Sequence, residues 1–142
     1  RFRGAQGLRH AGTYPRDRGV RVMRNSPQDV HNKTLGKIGE KRAVKYLKRA
    51  GYRILAANYR TPFGEADVVA KDGETVVFCE VKTRTGDLFG TPADAVGRKK
   101  RQTYVKIAGY YLMRAGEDLP VRFDVLEVTE QGINHIIGAF EG

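Results

Sequence analysis

The chain has 142 residues, enough for one domain that buries roughly two thirds of its unfolded surface and too few for two full domains. Its 26 Lys and Arg outnumber 16 Asp and Glu, and the resulting formal charge of +10 favours a polyanionic partner, nucleic acid first. The lone Cys79 excludes an internal disulfide, no Cys/His cluster has zinc spacing, and no apolar run approaches the roughly 18 residues of a membrane span, so a reducing cytoplasm fits.

Residues 1–33 hold eight Arg or Lys against Asp17 and Asp29, a net of +6 that leaves +4 for residues 34–142. They show no sustained periodicity. They read as a disordered basic arm that adds non-specific phosphate contacts, ahead of a folded domain over 34–142.

The pattern turns helical from Thr34 to Ala50, with Gly51 as its stop. Leu35, Gly36, Gly39, Ala43, Val44, Tyr46, Leu47 and Ala50 gather on one side, and Lys37, Lys41, Arg42, Lys45, Lys48 and Arg49 on the other. Glu40 is the charge that falls inside the apolar sector. Either it pairs with a base at the edge of the stripe, or it is an acid aimed at a site.

Tyr52–Arg60 reads as a strand entering a Thr61-Pro62-Phe63-Gly64 turn, and the stretch from Glu65 to Arg84 follows as a hairpin. Asp72-Gly73 between apolar runs predicts a two-residue type I′ loop flanked by Lys71 and Glu74. That register sets Val69 opposite Val76, Asp67 opposite Phe78 and Glu65 opposite Glu80. Asp67 and Glu80 become diagonal neighbours with Cα atoms about 7 to 8 Å apart. Alternation then gives Glu65, Asp67, Val69, Val76, Phe78, Glu80 and Lys82 one face, and an almost wholly apolar set the other. Both faces need a cover, which makes this a core hairpin, and its charges cluster at one end. Such a cluster is costly unless a metal or an ion pair compensates it.

After Arg84, TGDLFG reads as a Gly-bounded loop beside the acids. Thr91, Pro92 and Asp94 form a helix-start pattern, with Thr91 as cap, for a helix that runs to Ala115, bends at Gly97 and stops at Gly116. Tyr104, Ile107, Ala108, Tyr111, Leu112 and Ala115 make its apolar face. Arg98, Lys99, Lys100 and Arg101 lie near its start, and Lys100, four residues before Tyr104, extends the core-facing side toward a phosphate near the acids. Val121–Thr129 and Ile133–Ala139 read as a last pair of strands, on which Asp124 shares a face with Arg122 and pairs with it. His10, His31 and His135 are scattered and give a histidine general base little support.

The order helix, three strands, helix, strand, strand, with Glu40 on the first helix, Asp67 on the second strand and Glu80-Val81-Lys82 on the third, resembles the PD-(D/E)xK nuclease superfamily. More closely, GEKRAVKYL, NYRTPFGEADVVA, FCEVKTR, FGTPADAV and RFDV resemble the small bacterial YraN-type proteins, a group similar to archaeal Holliday-junction resolvases. The likeness spans about residues 35 to 140; Ala66 stands where the superfamily name has proline. It implies an α/β, restriction-endonuclease-like αβββαβ core with a central mixed sheet flanked by helices. Asp67, Glu80 and the backbone carbonyl of Val81 would hold Mg²⁺ or Mn²⁺, Lys82 would orient or deprotonate water, and Glu40 would complete the outer shell. Glu65 takes an accessory place, and Arg84, Arg98, Lys99, Lys100 and Arg101 are the nucleic-acid contacts. The implied function is a metal-dependent endonuclease acting on DNA, at branched or damaged structures, as a homodimer like the resolvases. The alternative is a non-catalytic nucleic-acid-binding module on a nuclease fold. A basic assembly or adaptor protein would need only the arm and the helix faces.

Overall fold

The computed structural model describes residues 27–84 and 96–141. Helix α1 (Pro27–Arg49) leads into strands β1 (Arg53–Thr61), β2 (Gly64–Asp72) and β3 (Thr75–Thr83). Helix α2 (Arg98–Ala115) then precedes β4 (Val121–Thr129) and β5 (Gly132–Phe140). The strands form one five-stranded sheet in chain order, antiparallel throughout except for the parallel β3–β4 pair. This is the mixed-sheet α/β arrangement expected from the sequence, compatible with a restriction-endonuclease-like core. Among the described residues no helix is long and apolar enough to cross a membrane.

Strand alternation sends the two faces of β2–β3 to different helices. Val69, Val76 and Phe78 join Tyr104, Ile107, Ala108 and Tyr111 of α2 in one buried cluster, completed by Phe123, Val125 and Phe140. Val68, Ala70, Val77 and Cys79 pack on Ala43 and Leu47 of α1 in the other. Each large apolar side chain so buried contributes roughly 1.5–3 kcal/mol, which is why both strands are apolar on both faces through their middle.

Three expectations change. Helix α1 begins at Pro27, upstream of Thr34 and inside the segment assigned to the arm; Pro27 loses nothing at a first turn whose N–H groups have no intrahelical partner. The β2–β3 loop is Gly73-Glu74, because Asp72 pairs with Thr75 and Lys71 with Val76. Only Gly73 there has positive φ (65°), as a loop with Gly first requires, whereas a type I′ loop needs both residues positive. The register moves by two residues, so facing is preserved and Val69 meets Phe78 instead of Val76. Helix α2 begins at Arg98, and Gly97 is its N-cap in extended conformation (φ −78°, ψ 172°) instead of a bend within it. Gly is costly inside a helix and free at its edge. Thr91, Pro92, Asp94 and TGDLFG lie outside the described residues, as does most of the basic arm.

Gly39 sets how closely α1 approaches β3. A Cβ at that position would collide with Thr83 Oγ1 and lie 3.3 Å from Thr83 Cβ. Gly39→Val, branched at the point of contact, is expected to lower unfolding free energy by about 1–3 kcal/mol in urea titrations and to push the neighbouring Glu40 away from the sheet. Unchanged stability would mean that α1 is free to slide.

Candidate functional site

The β2–β3 ladder ends at the pair Val68–Cys79, and Asp67 and Glu80 are the next residue on each strand. At this level the cross-strand bond is made by a side chain: the Val81 N–H donates to Asp67 Oδ2 at 2.8 Å. Continued by one residue, the corrected register sets the two acids at the same level of the strands instead of on the diagonal expected. Tyr104 of α2 ties them together. Its buried hydroxyl accepts from the Asp67 N–H (3.3 Å) and donates to Glu80 Oε1 (2.7 Å), with the Cys79 carbonyl also at 3.3 Å. Glu80 Oε2 faces Lys100 Nζ at 3.4 Å, across a contact in which the lysine side chain is 48% exposed and the glutamate 6%.

Burial is the main reason that Asp67 is pushed up to about 7, with the charges of Glu80 and Glu40 adding to it; the Val81 N–H and Lys100 pull the other way. Burial likewise raises Glu40, helped by Glu65 and Glu80 and opposed by an Asn58 hydrogen bond and by Lys37. Glu40 thus belongs to the electrostatic field of the pair although α1 covers the opposite face of the sheet. It reaches the end of the strands from beyond Gly39. Burial and both carboxylates hold Tyr104 well above its ordinary range, so its hydroxyl remains a donor.

Lys82 is half-buried, on the face of Glu80, and in register with Glu127 across β3–β4. Glu127 is fully buried and accepts from Arg84 Nε (3.2 Å) and Asn134 Nδ2 (3.1 Å). Arg84 therefore lies beside the site with one edge of its guanidinium committed to the protein. Arg98, Lys99, Lys100 and Arg101 all line the exposed first turn of α2, but they diverge: Lys100 turns to Glu80, while Arg101 Nε bonds the Val96 carbonyl at 3.3 Å. Glu65 stands farther out, exposed and 3.8 Å from Arg60, its cross-strand partner. Among the described residues no three His, Cys, Asp or Glu side chains converge as metal ligands, so Glu40 is a neighbour of the pair and not a third member of one cluster.

Two residues join this site that sequence reasoning placed elsewhere. Tyr104 reads as an apolar-face residue, yet its position one helical turn after Lys100 is the signal that its hydroxyl shares the same target. Asn58 adopts φ 53° within β1, the one non-glycine with positive φ among the described residues, and its side chain bonds Glu40. Asn tolerates that conformation better than most residues, but nothing in a strand pattern announces it.

A second polar network occupies the other face. Asp124, fully buried, accepts from Arg122 Nε and Nη2 (both 2.9 Å), the Gly138 N–H (3.0 Å) and His135 Nε2 (2.7 Å). His135 Nδ1 meets the Tyr46 hydroxyl at 3.0 Å, and Arg122 continues to Asp72 and Tyr52. The expected Arg122–Asp124 pair is present, and His135 serves it as a structural donor.

The fold and this site define an α/β protein with a carboxylate pair and a lysine on adjoining strands of a mixed sheet. The model of the family described as uncharacterised protein family UPF0102 matches residues 39–128, and the chain belongs to that family, the YraN type. A UPF0102 protein of Thermodesulfovibrio yellowstonii is 49% identical over 75% of this chain and 95% of its own length. One from Alkaliphilus oremlandii is 50% identical over 77% and 99%, and one from Clostridioides difficile 44% identical over 78% and 100%. The matched span contains Glu40, Asp67, Glu80, Lys82, Lys100 and Tyr104.

Proposed function

We propose that the protein is a metal-dependent nuclease that hydrolyses DNA phosphodiester bonds, with branched or damaged DNA as its substrate and the cytoplasm as its place of work. The observation that carries this reading is the Asp67–Glu80 pair, half-buried at Asp67 and buried at Glu80, bracketed by Tyr104 and the Val81 N–H, with Lys82 on the same face and a basic helix start above it. The donor set fits a hard divalent cation. All of its candidate ligands are oxygens, from Asp67, Glu80 and the Val81 carbonyl, and two carboxylates with a phosphate are enough for Mg²⁺ or Mn²⁺. Burial first, and then the neighbouring charge of Glu80, raises Asp67, and a bound cation would oppose both.

A bound cation would neutralise phosphate charge and lower the pKa of a coordinated water. The chain's own residues supply the remainder. Tyr104 fixes the Glu80 carboxylate, and the Val81 N–H orients Asp67 so that its other oxygen remains open. Lys82 holds the attacking water by its ammonium and stabilises the charge that grows on the phosphate. Arg84, Arg98 and Lys99 bind flanking phosphates, and Glu40 acts on the site through its charge. The second reading, a binding module without hydrolysis, draws on the absence of a third converging acid among the described residues.

The test is incubation of purified protein with labelled duplex, single-stranded, flap and four-way DNA, and RNA, in Mg²⁺, Mn²⁺ or EDTA. Cleavage of DNA in the metal arms alone is expected, with a preference for the branched substrates. Salt-dependent binding with no cleavage in any arm would select the second reading. On duplex DNA the binding constant should fall with salt at a log-log slope of about 0.9 per phosphate contacted.

A further inference from the structure

Glu80 divides its two carboxylate oxygens between unlike partners. Oε1 accepts from the Tyr104 hydroxyl at 2.7 Å, and that phenol is buried in the core and held on three sides. Oε2 faces Lys100 Nζ at 3.4 Å, a loose ion pair made by a half-exposed side chain on the first turn of α2. Such pairs are weak and readily exchanged. Asp67 gives Oδ2 to the Val81 N–H. Glu80 Oε2 is thus the oxygen that a cation can claim without disturbing the core, and the group it must displace is an ammonium.

We propose that Lys100 is the resident counter-ion of the carboxylate pair, standing at Glu80 in the free protein and released to a nucleic-acid phosphate when a divalent cation takes its place. This rests on the nuclease reading above. A lysine suits the exchange better than an arginine, because its ammonium is a compact point charge on a flexible stem and does not lock onto a carboxylate through two parallel bonds. Once displaced, the ammonium stays at the positive end of the α2 dipole beside Arg98 and Lys99, where a phosphate is its natural partner. Cation and polyanion therefore bind with positive coupling, and each tightens the other by the same factor.

Isothermal titration of the full chain with Mn²⁺, without nucleic acid, tests this directly. Lys100→Met, which keeps the stem and removes the competing charge, is expected to tighten Mn²⁺ binding about three- to tenfold. Lys100→Arg, whose guanidinium can grip Glu80 with two bonds, is expected to weaken it. Lys45→Met, on the exposed side of α1, should leave it unchanged and so reports any effect of net charge alone. If Lys100→Met and Lys100→Arg both match the unaltered chain while Asp67→Asn removes binding, the counter-ion proposal is overturned and the metal site stands. If Mn²⁺ binding is absent, or insensitive to Asp67→Asn, both fail.

Discussion

Asp67→Asn protein is expected to be more stable than the unaltered chain at pH 8 and to have lost cleavage. Burial, with the charge of Glu80 next, raises Asp67 to about 7 from an ordinary 3.8. A carboxyl raised on folding holds its proton more tightly in the folded state. Its stabilising contribution is complete below the unfolded value near 4 and is lost as pH rises through about 7. Asparagine keeps an oxygen for the Val81 N–H and has no charge to bury. The stability gap between variant and parent should therefore be small at pH 5 and grow to on the order of 1–3 kcal/mol by pH 8, a rise of several degrees in Tm. On the proposed reading, saturating Mn²⁺ should stabilise the parent and close the gap, because a cation held by the intact folded site alone favours the folded state. Cleavage falls by about 10²- to 10³-fold, the loss of several kcal/mol of charge stabilisation. Differential scanning calorimetry across pH and single-turnover kinetics check the two halves. A variant less stable at pH 8 would mean that Asp67 is a structural acid.

Asp124→Ala should behave in the opposite way, with stability lost and chemistry retained. Burial works against the Asp124 charge, but hydrogen bonds from His135 and Arg122, with the Gly138 N–H, outweigh it and hold the carboxyl below its ordinary range. Removing it leaves a half-buried guanidinium, a buried imidazole and a strand N–H without their shared acceptor. Breaking such a pair from one side typically costs 3–5 kcal/mol, a large part of the roughly 5–15 kcal/mol that stabilises a domain. A Tm at least about 10 °C lower is expected. For the parent, the contribution of Asp124 is present above the ordinary 3.8 and lost as pH falls through its lower folded value. Because the network lies on the face covered by α1, cleavage per folded molecule should persist. A Tm change of less than about 2 °C would show that the four hydrogen bonds contribute little.

These opposite expectations separate two buried polar sites that the sequence presents alike. Strand alternation alone puts Asp67, Glu80 and Lys82 on one face, and the structure keeps that facing although the loop moves from Asp72-Gly73 to Gly73-Glu74. A shift of two residues preserves facing and changes only which residues lie opposite, which is why the shared face is legible in the sequence and the cross-strand pairing is not. Helix boundaries were less so. The run Ser26-Pro27-Gln28-Asp29 is a helix-start pattern that a basic, aperiodic context hides, and Gly97 can be read as a bend or a cap until its φ and ψ are known.

Contacts between elements distant in sequence were the least legible. Tyr104 lies 24 residues from Glu80 and 37 from Asp67, so periodicity identifies its buried face but not the hydrogen bonds of its hydroxyl. Asn58 depends on one unusual backbone angle, and Glu127 on a buried bond to Arg84. Arg42 falls on the basic side of α1 by periodicity, yet it reaches the Thr129 carbonyl at 2.7 Å. His135 stands apart from the other histidines in the sequence, but one histidine suffices to hold a buried aspartate.

The nuclease reading depends on Glu80, whose carboxylate is held by a buried phenol on one side and faces the half-exposed Lys100 ammonium on the other. Single-turnover cleavage of four-way DNA in Mn²⁺, by the unaltered chain and by Glu80→Gln, tests it most directly. Cleavage that EDTA abolishes and that falls at least about 100-fold in Glu80→Gln, with DNA binding retained, is the predicted result. Equal rates in the two proteins, or no cleavage by the unaltered chain with any divalent cation, would contradict it.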